Sequence, residues 1–578
     1  MNIVVLVGII ITIATGIPVY RQMRNHPRGL KILFFAEMWE RFSYYGMRGL
    51  LIFYLTRHFL FDDATANGQY GAYTSLVYLL PLIGGVLADR YLGTRKAIVY
   101  GGVLLVCGHL LMAAEGNPAK QYLVHEGARY EIVTGGAPRV LVDGAAYQFA
   151  SAEAGGLSIF DLPSTATLPS SLPTGSYSTV EERDPFFLSI FYLALSLIIM
   201  GVGFLKPNIS TIVGQLYEDK DPRRDPGFTL YYYGINLGAF WASILCGLLG
   251  ETVGWWAGFG LAGLGMLAGL VVFMRGKPLL EGRGEPPAPA TLAQPVLGPL
   301  TREHLIYAGG FLGVGLVWLL VQRNEAIGLL LTAGSLAVLG YIGWYIAMRC
   351  ETRARADMIL ALILVAGAVV FFTLFEQAGS SLNLFADRNT QLPEGFTAAQ
   401  TQSFNAGFIL LFAPLFAILW TWLARNNRDP DPIIKFGLGL FQVGAGFLVL
   451  VWAAGFADAM YRLPLIFLAL AYLLHTTGEL CLSPVGLSEI TKLSVPALVS
   501  TMMAVWFLSS SWAQYIGAFV AELAGTETIG GKAVDPRAAL ETSLSVFNMI
   551  GWIGVGCGLF FFVLSFFWRR WTAQSDGR

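Results

Sequence analysis

Long apolar runs alternate with short polar turns from one end of the chain to the other. Runs of 18 or more apolar residues recur, each long enough to cross a hydrocarbon core of about 30 Å as a helix. A bilayer demands helix rather than open strand, because every backbone N–H and C=O must be paired within the segment. The pattern predicts spanning helices at about 29–56, 68–89, 97–115, 186–214, 228–249, 254–274, 304–322, 326–348, 355–386, 402–424, 435–456, 463–490, 496–523 and 541–570. A further apolar stretch, MNIVVLVGIIITIATGIPVY, opens the chain. Its positive charges, Arg21 and Arg24, follow the apolar run instead of preceding it. It therefore reads as an extra spanning or interfacial helix rather than a cleaved signal, with its N-terminus outside.

Two polar stretches interrupt this rhythm. Residues 116–184 hold alternating runs, YEIV and PRVLVDG, and then a Ser/Thr/Pro/Gly-rich tract. The expectation is a small β-hairpin followed by loop, either a passive surface insertion or a cap over the outer face. The second stretch, EGRGEPPAPATLAQPVLGP at 281–299, is a Pro-rich linker. Basic clusters at Arg90 to Lys96, Lys220 to Arg224, Arg275 to Arg283, Arg349 to Arg355 and Arg425 to Lys435 fall at alternate connections, which assigns those connections to the cytoplasm. Two segments also echo one another: LLPLIGGVLADRYLGTRK (79–96) and LFAPLFAILWTWLARNNRD (411–429) each end a helix in a basic turn. The expected organisation is an extra helix at 1–27, a six-helix bundle at 28–275 with 116–184 outside, a linker and inserted helix pair at 276–350, and a second six-helix bundle at 351–571.

Composition agrees with an all-α polytopic membrane protein. Of 578 residues, 55% are hydrophobic and only 13% charged, against roughly 25% charged in soluble domains. The net charge of −1 leaves no footprint for nucleic acid. The five cysteines show no spacing for disulfides or metal and read as packing residues.

Against that apolar background, buried charges stand out. A charge at the centre of a membrane helix costs about 2.5 kcal/mol or more, so it faces the bundle interior and finds a partner. In EMWERFSYYGMR, Glu37, Glu40, Arg41, Tyr44, Tyr45 and Arg48 share one stripe about 140° wide at helical spacing. The stripe is about 16 Å long, more than a single packing salt bridge requires. Lys206 lies within an apolar segment just before Pro207. It either exchanges a proton, as buried lysines readily do, or snorkels to the cytoplasmic end. Glu376 and Glu479 are deep in their segments. Asp387 is nearer the outer end and fits either a gate or a helix terminus. His475, one turn before Glu479, reads as a packing or hydrogen-bonding residue. Asn236 and Asn405, one per half, could engage a peptide bond or join helices. No metal cluster, phosphate loop or nucleophile–base motif accompanies them, so an enzyme is not expected, nor a cofactor.

These residues resemble the proton-dependent oligopeptide transporters, the peptide branch of the major facilitator superfamily, over nearly all of 28–570. EMWERFSYYG (37–46) is similar to the family's ExxERFxYYG motif. GGVLADRYLGTRK (84–96) resembles a loop shared across the superfamily. FTLYYYGINLGA (228–239), FEQAGSSL (375–382) and GELCLSPVGLS (478–488) resemble further family signatures, and the pair at 304–348 resembles the inserted helices of bacterial members. The resemblance implies a major facilitator fold and proton-driven uptake of di- and tripeptides across a bacterial inner membrane by a monomer. It implies that Glu37, Glu40 and Arg41 form a proton-coupling motif facing Lys206. Arg48 and Lys206 would attract the peptide carboxylate, and Glu479 its ammonium. Tyr44, Tyr45, Tyr78, Asn236, Asn405, Ser483 and Trp506 would line the cavity. Glu376 would pair with Arg48 when the outer gate closes, reinforced by Asp387. Where some members carry a histidine on the second core helix, this chain has Gly71, so no proton site is expected there. A relative that carries small anions such as nitrate, or a non-transporting membrane peptide sensor, are the rival readings. An anion carrier has no need of an ammonium acceptor such as Glu479, and a sensor would be expected to carry long cytoplasmic extensions.

Overall fold

The computed structural model describes residues 3–133, 138–152, 155–218 and 220–576. The helices, in chain order, are α1 (Ile3–Met23), α2 (Arg28–Phe53), α3 (Asp63–Leu79), α4 (Pro81–Leu87), α5 (Gly93–Met112), α6 (Pro185–Gln215), α7 (Arg224–Thr252), α8 (Trp255–Arg275), the short α9 (Pro289–Leu292), α10 (Arg302–Val321), α11 (Asn324–Arg349), α12 (Thr352–Phe375), α13 (Ser381–Asn389), α14 (Ser403–Arg425), α15 (Pro432–Ala453), α16 (Leu465–Leu493), α17 (Val499–Leu523) and α18 (Pro536–Asp576). Among the described residues, 12 stretches are long and apolar enough to cross a membrane, one of them, Asp63–Met112, containing both α3–α4 and α5. Two long helices lie outside that set. In α2 the buried ionic stripe exceeds what hydropathy tolerates, and in α17 the Ser509–Ser510–Ser511 run lowers it.

Helices α2–α8 pack as one bundle and α12–α18 as another, the major facilitator architecture, with α10 and α11 set between them in sequence and against α6, α3 and α17 in space. Small residues let the helices approach. At Gly84 a Cβ would meet the Gly203 carbonyl at 2.1 Å, and at Gly444 the Gly551 carbonyl at 2.5 Å; backbone contact of this kind replaces hydrophobic driving force between helices in lipid. Helix α1 lies along the seam between α7 and α14. Its Thr15 hydroxyl is 2.9 Å from that of Tyr233, and Trp241 Nε1 donates to Thr12 Oγ1 at 2.9 Å. Its outer face carries exposed Ile10, Ile13 and Ile17.

Two expectations need correction. Residues 116–184 are not a hairpin followed by loop. They form a seven-stranded antiparallel sheet, ordered β6-β5-β4-β3-β2-β1-β7, from β1 (Lys120–His125), β2 (Ala128–Val133), β3 (Arg139–Val142), β4 (Ala145–Ser151), β5 (Leu157–Ile159), β6 (Ser171–Leu172) and β7 (Tyr177–Glu182). The polar tract holds the last three strands. Two are too short to show a period, and β7 closes the sheet on β1, Leu123 opposite Thr179, across more than fifty residues of sequence. The segment expected at 355–386 is also not one helix. It breaks at a 3₁₀ turn, Glu376–Gly379, between α12 and α13. The 281–299 linker is docked on the N-terminal bundle. Leu280 and Leu292 are buried, and Arg95 grips Glu285 with bonds of 2.7 and 3.0 Å, holding that exposed carboxyl below its usual range.

Candidate functional site

Helix α2 is buried on nearly every side, so its charges face the bundle interior and depend on partners there. Arg41 Nε donates to Glu37 Oε1 at 2.8 Å and lies 3.1 Å from Glu40 Oε2. One guanidinium therefore serves two carboxylates. Glu37 Oε2 and both Glu40 oxygens are buried without a hydrogen bond among the described residues. Lys206, from α6, makes no ion pair among the described residues; its ammonium rests 3.8 Å above the Tyr78 ring, a cation–π contact. Glu37, Arg41, Tyr78 and Lys206 all border one cavity of about 590 Å³, which continues past Asp89, Ser210 and Ser500.

About two turns further along α2 the stripe changes partner. Arg48 is buried, donates through Nε to the Tyr70 hydroxyl at 2.6 Å, and forms an ion pair with Glu376 of the other bundle. Glu376 can reach across because α12 ends there: the 3₁₀ turn presents its side chain at a helix break. Arg48, Glu376, Tyr45, Asn236 and Asn405 border a second, smaller cavity of about 60 Å³. Asn405 Nδ2 donates to Thr476 Oγ1 at 3.0 Å and to Glu479 Oε2 at 3.5 Å, whereas Asn236 turns back onto the Tyr232 carbonyl at 2.9 Å. Tyr44 packs edge-on against Tyr45 at 5.2 Å, its hydroxyl unbonded among the described residues. The Ser483 hydroxyl is buried without a partner among the described residues, and the Trp506 ring fills the space a side chain at Gly486 would need. His475 packs on Phe447 at 4.7 Å, as expected of a core histidine.

Beyond Arg48 the ends of the two bundles are joined by Asp387 and by four groups that sequence reasoning passed over, Arg57, Glu251, Asp63 and Arg388. Arg57 binds Glu251 at 3.0 Å and pairs with Asp387 of the other bundle. Arg388, next to Asp387, holds Asp63 in a bidentate grip of 2.5 and 2.8 Å. Asn383 donates to the Gly49 carbonyl at 3.0 Å, and nearer the middle of the bundles Ser511 donates to the Ser75 carbonyl at 2.8 Å. The ion pairs lie towards one end of the bundles and the 590 Å³ cavity towards the other. Gly71 explains the missing histidine. A Cβ there would sit 2.2 Å from the Ala518 Cβ, so α3 and α17 cross too closely for any side chain. Gly71→Leu is expected to wedge this crossing apart and to lower the melting midpoint in detergent by an overpacking penalty of about 1–3 kcal/mol; an unchanged midpoint would mean that the crossing is not rigid.

Two bundles closed by ion pairs at one end and open at the other to a cavity that charged side chains border fit a class of protein, a membrane transporter. The chain belongs to the POT family, whose profile matches residues 95–534. It is 34% identical over 520 residues to the uncharacterized transporter YclF of Bacillus subtilis (strain 168), covering 86% of this chain and 88% of that one. It is 29% identical over 565 residues to a di-/tripeptide transporter of Lactococcus lactis subsp. cremoris, covering 93% and 95%. A solved peptide transporter of the same family, in complex with alafosfalin, superposes with a TM-score of 0.69 at 31% identity over 93% of this chain and 94% of that one.

Proposed function

We propose that this protein carries di- and tripeptides into a bacterial cell together with protons, as a monomer in the inner membrane and without a cofactor. The Arg48–Glu376 ion pair carries this reading, because it joins the two bundles at the inner limit of the outer closure. A short peptide is a zwitterion. Arg48 and Lys206 suit its carboxylate; Glu479, held by Asn405, suits its ammonium. Tyr44, Tyr45, Tyr78, Asn236, Asn405, Ser483 and Trp506 supply walls and hydrogen bonds between those ends. A peptide so placed touches both bundles and favours the state in which they close around it.

Proton coupling follows from the same charges. A proton on Glu376 removes its hold on Arg48 and frees the guanidinium for a peptide carboxylate. Glu37, Glu40 and Arg41 carry one excess negative charge beside Lys206, and burial makes that excess costly; proton uptake there, or a closer approach of Lys206, neutralises it. Asp387, paired with Arg57, reinforces the outer gate.

The test is uptake by purified protein in liposomes across a panel of di- and tripeptides, with and without an inward proton gradient, with nitrate as a parallel substrate. Gradient-driven peptide uptake is expected. Nitrate uptake alone would select the anion-carrier reading, and no uptake of either would leave a sensor. Glu479→Gln should weaken binding of a dipeptide about tenfold or more, the loss of a charge-assisted bond, while an N-acetylated dipeptide, which has no ammonium, loses little. Equal losses for both peptides would remove Glu479 from ammonium binding.

A further inference from the structure

The seven-stranded sheet is rooted in the N-terminal bundle. Ala119 N donates to the His58 carbonyl at 2.8 Å. Arg183 donates to the carbonyls of Phe59 and Leu60 at 2.6 and 2.8 Å and covers the Phe61 ring at 4.2 Å. Its core, however, is not self-contained. Leu123, Ile132, Val140, Phe149 and their neighbours close around Ile529, which is 1% exposed and belongs to the C-terminal bundle. Ile529 lies on a short hairpin, Thr528–Ile529 against Lys532–Ala533, that joins α17 to α18.

The hairpin is clasped at three further points. Gly530 N donates at 2.6 Å to Oε1 of Gln121, a buried strand residue whose Nε2 is committed to Glu181 at 2.9 Å. Gly531, at φ +74°, lies so close to the end of α2 that a Cβ would meet the Thr56 carbonyl at 2.9 Å. Thr526 N donates to Asp63 Oδ2 at 2.9 Å. Opening the outer mouth means moving the outer ends of α17 and α18 away from α2 and α3. The hairpin cannot make that movement and keep its place in a sheet fixed to α2 and α3.

We infer that the β insertion is an outer strap: its core accepts Ile529 of the opposite bundle when the outer gate is shut, and so biases the transporter towards the inward-open state. The strap rests on the alternating-access reading, and its test measures distance, so it stands or falls separately from which solute is carried. In a cysteine-free background, spin labels at exposed Val253 and Met460, on the outer ends of the two bundles, report their separation by pulsed electron–electron resonance. Ile529→Ser should raise the outer-separated population about tenfold, the burial of one aliphatic side chain read as a population ratio. Gln121→Ala, which leaves the apolar core intact, should shift it the same way by a smaller factor. If both distance distributions superpose on the parent while circular dichroism stays helical, the strap is overturned. If Ile529→Ser fails to fold, Gln121→Ala alone decides, and an unchanged distribution there overturns it equally.

Discussion

Glu376→Gln is expected to retain peptide exchange across a liposome membrane and to lose accumulation against a gradient. The reasoning starts from one guanidinium with two claimants. Arg48 is pinned by the Tyr70 hydroxyl and paired with Glu376 across the bundle interface. A peptide carboxylate entering the adjacent cavity must compete with Glu376 for the same charge. Protonating Glu376 ends the competition, so proton and peptide favour one another's binding by linkage. Removing one partner of a buried pair costs about 3–5 kcal/mol, so neutralising Glu376 is worth roughly a hundredfold or more in the gate equilibrium. Glutamine imitates the protonated state permanently. Peptide affinity in this variant should therefore vary less steeply with pH than in the parent, since the charge that competes for Arg48 is gone at every pH. Exchange of labelled for unlabelled dipeptide, and uphill uptake at several external pH values, separate the two properties. Full uphill uptake by Glu376→Gln would take this residue out of the proton pathway.

The sequence and the structure agree best where burial makes a charge conspicuous. Glu37, Glu40, Arg41 and Arg48 lie in a helix that must be shielded from water, and a stripe of that length has few explanations besides a polar path. Glu376 and Glu479 stand out for the same reason. The outer lock was illegible for the opposite reason. Arg57, Asp63, Glu251 and Arg388 lie at helix ends, where charges are ordinary because interfacial water solvates them; only the meeting of α2, α3, α7 and α13 turns them into a lock. Asp63 is concealed further, being an acidic residue in the first turn of α3, next to the capping Asp62, a position that helix electrostatics alone would favour. The sheet escaped detection because its closing pair, β1 with β7, is non-local, and because Ile529, part of its core, comes from the other end of the chain. Gly71 was noted as a departure, but its cause, the Ala518 side chain occupying that place, belongs to packing.

Charge reversal at Asp63 tests the lock most directly. Asp63→Arg would set its guanidinium against that of Arg388 and near Arg57, so an attraction within the outer closure becomes a repulsion. Like charges brought together in a partly dehydrated interface cost several kcal/mol, and the outward-closed state should become rare. Net uptake is expected to fall at least tenfold, because a carrier that cannot close outside cannot deliver inside. The outer spin-label distance should lengthen in step. Adding Arg388→Asp restores the opposite signs with their positions exchanged, and uptake should recover, though not completely. Asp63 also accepts a hydrogen bond from Thr526 N, which an arginine cannot do, and it lies in the first turn of α3, where a cation meets the positive end of the helix dipole. Recovery in the double variant to within a few-fold of the parent, set against the loss in either single variant, is a coupling that two unrelated structural defects would not produce. Additive losses in the double variant would mean that Asp63 and Arg388 serve the fold separately and that the outer gate closes without them.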